Sequence, residues 1–206
     1  MSHIELGIVY HPCPEELEEF SSAVSKLTGL TPREEKLFGF AGPNEVVQII
    51  LDTVSWALLF KGSAAFLGTK FLSSYVSELG KQAATKTIET FGSKEDKDKE
   101  IFLELVEAII KLRQKGQTVT VAVKLIDTPR NAGFVIETED PKEIAEQMSL
   151  VALYTEDIQK RYEELKREDD KVSKTGNNPD MSLKIEITDG GKVLLMGNEV
   201  VLSKKG

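Results

Sequence analysis

The chain has 206 residues, 40% of them hydrophobic and 29% charged, which is globular composition and too apolar for a chain that stays disordered throughout. A formal net charge of -8 without any cluster of Lys and Arg argues against general nucleic-acid binding, because phosphate affinity rests on basic residues that release counterions. The single cysteine, Cys13, excludes an intramolecular disulfide scaffold, and the first residues lack the basic-then-apolar pattern of a secretory leader, so the expected address is the cytoplasm.

Residues 4–10 alternate, with Ile4, Leu6, Ile8 and Tyr10 on one side, and predict a first strand. From Pro14 the apolar residues Leu17, Phe20, Val24 and Leu27 recur at helical spacing until Gly29, and the run Glu15, Glu16, Glu18 and Glu19 reads as the solvated face of that helix. Thr31-Pro32-Arg33-Glu34 has the cap, proline and glutamate order of a helix start, predicting one or two turns up to Gly39.

Asn44 then reads as the N-cap of a helix reaching Phe60, with only Asp52, Lys61 and Lys70 charged between Val46 and Ser77. Lys61-Gly62-Ser63 predicts a break and a second helix from Ser63 to Phe91, so that residues 44–91 form a central helical hairpin. Ser73, Ser77, Gly80 and Ala84 line up on the second arm as small residues that let another backbone approach, and they are candidate partner-binding residues. Trp56, the only tryptophan, sits among Leu58, Leu59 and Phe60 and reads as a core anchor.

A charged connection from Ser93 to Lys99 leads into an amphipathic helix marked by Ile101, Phe102, Leu105, Val106, Ile109 and Leu112, with Gly116 as its stop. Residues 118–126 and 133–138 alternate and predict a hairpin, and Arg130 and Asn131 at its tip are candidate partner contacts on a rigid support. Asp140-Pro141-Lys142-Glu143 opens a long helix through Ala145, Met148, Val151, Ile158, Tyr162 and Leu165 that fades near Arg167. Residues 169–181 read as a linker. Beyond them Leu183 to Ile187, Val193 to Met196 and Val200 to Leu202, turned at Asp189-Gly190-Gly191 and at Gly197-Asn198, form a three-stranded meander. Three strands of this size need a partner surface, supplied by the sheet of the body, a second copy or another protein.

The predicted fold is therefore α+β: a mainly helical body with the central hairpin, a small antiparallel sheet of residues 4–10, 118–126 and 133–138, and the C-terminal meander. The predicted units are a main domain of residues 1–168, the linker 169–181 and the meander 182–206.

No glycine-rich phosphate loop is present. The two histidines, His3 and His11, stand near Cys13 and Glu5, a set short of the four ligands that a closed zinc site wants; a metal- or thiol-dependent enzyme built on His11 and Cys13 is an alternative that these residues leave open. No catalytic residue, metal ligand or cofactor is assigned. Every window of about 20 residues across the apolar region holds Asp52, Lys61 or Lys70, which disfavours stable spanning of a bilayer; a further alternative has the 44–91 hairpin meeting a membrane after a conformational change.

The order of strand, helix, small-residue helical stretch and hairpin, followed by Glu139-Asp140-Pro141-Lys142-Glu143-Ile144-Ala145, resembles uncharacterised bacterial proteins. Some of those are similar to effector-associated components of conflict systems, and the resemblance implies a non-enzymatic module. The expected function is a protein-interaction or regulatory module that binds a protein partner or its own copy.

Overall fold

The structure is a computed structural model, and it describes residues 5–8, 14–36, 46–67, 95–128, 130–168, 183–188 and 190–201. In chain order these form β1 (Glu5–Ile8), α1 (Pro14–Thr28), β2 (Arg33–Lys36), β3 (Val46–Leu51), α2 (Thr53–Leu67), α3 (Glu95–Gln114), β4 (Thr118–Lys124), β5 (Asn131–Ile136), α4 (Pro141–Glu168), β6 (Leu183–Ile187), β7 (Val193–Leu195) and β8 (Asn198–Glu199). The class is α+β. The strands lie in the order β2-β1-β3-β4-β5-β6-β7-β8.

The sheet is mixed, which corrects the small antiparallel sheet expected from the sequence. β1 pairs with β2, β3 with β4 and β5 with β6 in parallel, while β1 with β3, β4 with β5, β6 with β7 and β7 with β8 are antiparallel. A parallel neighbour cannot be reached by a tight turn, so each parallel pair requires a crossover. Between β1 and β2 that crossover holds α1, between β3 and β4 it holds α2 and α3, and between β5 and β6 it holds α4. The first strand is thus separated from 118–126 by β3 rather than lying beside it.

The largest correction falls on residues 44–60. Val46-Val47-Gln48-Ile49-Ile50-Leu51 is an inner strand, buried from Val47 onward, and not part of a helix starting at Asn44. A short continuous apolar run suits a doubly covered strand as well as a buried helix, and its four β-branched residues favour the strand. The helix begins after Asp52, whose Oδ1 accepts the Ser55 amide at 2.8 Å and whose carbonyl accepts the Trp56 amide at 3.0 Å. Asp52 is therefore an N-cap.

No break occurs at Lys61-Gly62-Ser63, because α2 continues through all three to Leu67. Glycine inside a helix costs about 1 kcal/mol, and burial of the surrounding side chains outweighs it. Gly62 and Ser63 are buried, and the Ser149 hydroxyl of α4 donates to Ser63 Oγ at 2.6 Å, while Ser63 donates to the Phe60 carbonyl at 3.1 Å. Residues 68–91, the rest of the predicted hairpin, lie outside the described residues.

Thr31-Pro32-Arg33-Glu34 does not start a helix. Arg33–Lys36 is an edge strand of four charged residues that pairs in parallel with β1. Charge along an outer strand opposes edge-to-edge pairing with other chains.

Other elements match the sequence periodicity. Gly116, at φ 83°, closes α3: its amide bonds the Arg113 carbonyl at 2.8 Å and the Gln117 amide bonds the Leu112 carbonyl at 3.0 Å. This is the paired closure that a left-handed residue allows. Asp140 caps α4 by accepting the Lys142 and Glu143 amides at 2.7 and 3.3 Å, with Pro141 in the first helical position. The hairpin of β4 and β5 forms, with β5 beginning at Asn131 instead of 133. In the meander the third strand is Asn198–Glu199 rather than 200–202, and the turn before it is Met196-Gly197.

All four helices described pack on one sheet face, over Val47, Ile49 and Leu51, then Val119, Val121 and Val123, then Ala132, Phe134 and Ile136. Trp56 is fully buried as expected, and its Nε1 donates to the Ala122 carbonyl at 3.4 Å. The meander uses the sheet of the body: Leu183 pairs beside Ala132, and Ile185, Val193, Leu195 and Val200 share one buried cluster with Ile144, Met148 and Val151 of α4. Among the described residues a core void of about 10 Å³ lies between Phe20, Ile49, Leu59, Leu105 and Met148, enough for one water at most and without a polar partner to hold it.

The acidic run of α1 is exposed and also bordered by α3. Glu16 faces Lys115 at 3.3 Å, Glu19 faces Lys111 at 2.6 Å, and Lys26 faces Glu104 at 2.6 Å, so the two helices run antiparallel along a ladder of surface ion pairs. A backbone hydrogen bond and then Lys115 hold the Glu16 carboxyl below its ordinary value, and the hydrogen bond to Glu19 holds the Lys111 ammonium above its own.

Three outcomes follow from this packing. Asp52→Ala lowers the unfolding free energy by about 1 kcal/mol in urea titration, read from the emission of the single buried tryptophan. The Glu16 contribution is complete above its ordinary pKa of 4.5 and is lost as pH falls through the lowered folded value. The Lys111 contribution is complete below 10.5 and is lost as pH rises through the raised folded value, so Lys111→Gln flattens the alkaline side of a melting-temperature profile and changes the acid side less, since Lys111 is the smallest of the causes that lower Glu16. In about 1 M salt, where charges are screened within ~3 Å, the alkaline side flattens more than the acid side, because the backbone hydrogen bond that lowers Glu16 is not an ion pair.

Candidate functional site

The topology collects several loops at one end of the sheet. β4 ends at Lys124 opposite Asn131, where β5 begins, and β6 begins beside Ala132. The Met196 amide donates to the Lys184 carbonyl at 2.9 Å, which brings the β7 to β8 turn to this same end. The C-terminal half of α4 lies between the two connections.

From α4, the Gln159 carboxamide grips the backbone of Ile126 on both sides, accepting its amide at 2.9 Å and donating to its carbonyl at 3.5 Å. One turn further, Tyr162 donates its hydroxyl to Thr128 Oγ1 at 3.2 Å, and the same oxygen accepts the Arg130 amide at 3.2 Å. Arg161, on a different side of the helix, donates to Glu164 at 2.9 Å and to Asn198 Oδ1 at 3.4 Å. Asn198 in turn donates to the Met196 carbonyl at 3.1 Å. One helix therefore holds both tips.

What these tips display is apolar. Ile126 is 60% exposed and Met196 is 42% exposed. Asp127 has φ 57° and Met196 has φ 52°, both in the left-handed region that L side chains avoid. Met196 and Gly197, at φ 77°, occupy the two centre positions of a tight hairpin turn between Leu195 and Asn198, where asparagine before glycine is the favoured pair. A long apolar side chain stands there instead.

Of the candidate residues, Arg130 lies in this loop, half-buried, and Asn131 is the first residue of β5 rather than the tip. Asn131 pairs with Lys124 because the strand starts two residues earlier than its apolar alternation indicates. Ser73, Ser77, Gly80 and Ala84, like His3, His11 and Cys13, lie outside the described residues. Sequence reasoning missed Gln159, Arg161, Met196 and Asn198, and it took Tyr162 for a core residue. Tyr162 is indeed buried in its ring, but its hydroxyl works at the loop. The only legible signal was Met196-Gly197 between alternating residues, a turn position with an unsuitable first member.

The tips offer two apolar side chains, with the Arg161 guanidinium and the Gln159 and Asn198 carboxamides bonded within the chain beside them. Among the described residues no three His, Cys, Asp or Glu side chains stand together as a metal group, and no helix is long and apolar enough to cross a membrane.

Gln159→Ala removes the acceptor of the Ile126 amide. Hydrogen exchange at that amide rises by about two- to tenfold, in line with a net hydrogen bond of about 0.5–1.5 kcal/mol, while the urea midpoint of the whole protein moves little. Comparison with protein-family models, with curated proteins and with solved structures found no match.

Proposed function

We propose that the protein is a non-enzymatic interaction module that docks a protein partner on the end of the sheet formed by the 125–131 loop, residues 159–162 of α4 and the Met196-Gly197 turn. The observation that carries this reading is the presentation of Ile126 and Met196, two large exposed apolar side chains, the first held by Gln159 through its backbone and the second standing on a left-handed backbone. A left-handed conformation costs about 1–2 kcal/mol for an ordinary L residue, and asparagine or aspartate bears it more easily. Methionine at Met196 has no such excuse, and strain kept at an exposed position points to use.

The magnitudes suit a modest interface. Full burial of two such side chains contributes about 1.5–3 kcal/mol each, less than the cost of bringing two molecules together. The remaining affinity must come from further surface around the tips, because the polar groups of Gln159, Arg161 and Asn198 are already bonded within the chain and serve to fix the two tips. The layout resemblance suggests a bacterial conflict system as the setting in which that partner is sought.

The test compares the unaltered chain with Ile126→Ser, Met196→Asn and Val201→Ser, the last removing an apolar residue that is 75% exposed outside this site. Self-association is read by light scattering and partner capture by quantitative pull-down. Ile126→Ser and Met196→Asn each weaken association at least about tenfold, roughly 1.4 kcal/mol, and Val201→Ser leaves it unchanged. Met196→Asn at the same time raises stability in urea by about 0.5–1 kcal/mol, because it relieves the turn. A dimer or captured partner indifferent to both substitutions, or a strict monomer that captures nothing, overturns the proposal.

A further inference from the structure

We draw no further inference here: the strongest candidate, the sheet face opposite the helices around Gln48, Ile50 and Val135, carries nothing because the described residues do not show what covers it.

Discussion

A helix as apolar as α2 has to be covered over most of its surface, and only Val54 and Ala57 near its start are left exposed among its described side chains. Thr53–Leu67 carries one charged residue, Lys61, and sets Trp56 and Leu59 wholly inside. The sheet covers it from one direction, through Val121 and its neighbours, while α3 and α4 close its flanks. Most of the architecture answers this requirement. β3 delivers the chain to the Asp52 cap, α3 returns it over the same face to β4, and α4 meets α2 closely enough for Ser63 and Ser149 to share a hydrogen bond. That bond gives the buried Ser149 hydroxyl an acceptor in Ser63 Oγ, which itself donates to the Phe60 carbonyl; a buried hydroxyl left unpaired costs about 1–3 kcal/mol.

The same arrangement explains why the candidate surface is where it is. α4 is the crossover between β5 and β6, and at 28 residues it is much longer than the six- and five-residue strands that it joins. Its first half packs against α2, and its second half reaches the end of the sheet, where Gln159, Arg161 and Tyr162 meet the tips of two hairpins. A loop fixed to a packed helix keeps its shape without a core of its own. Such loops can hold an apolar side chain in water without collapsing over it, which is the property a docking surface needs.

Exposed apolar residues are common on protein surfaces, and one alone decides little. Met196 differs because the turn it occupies has better choices. Asparagine at that position would form the preferred turn, and nothing in the packing of β7 and β8 calls for methionine, since the side chain is substantially exposed. Ile126 differs because both its backbone groups are engaged by one side chain from another element while its own side chain is left outside.

The sequence by itself determined the elements whose signals are local. Gly116 ends α3 because the paired closure of a helix needs a left-handed residue, Asp140 and Pro141 start α4 through caps within one turn, and the alternation of 118–125 places Val119, Val121 and Val123 inward whatever surrounds them. Trp56 was legible as core for the same reason. Tertiary structure decided what periodicity leaves open. Val46–Leu51 is a short apolar run whose period suits a strand or a buried helix, and its place between β1 and β4 makes it a strand, while Thr31-Pro32-Arg33-Glu34 leads into an edge strand because β1 offers pairing. The surface around Ile126 and Met196 was decided in the same way. Its members come from positions 126, 159 and 196, and no spacing along a chain encodes the meeting of two hairpin tips under one helix.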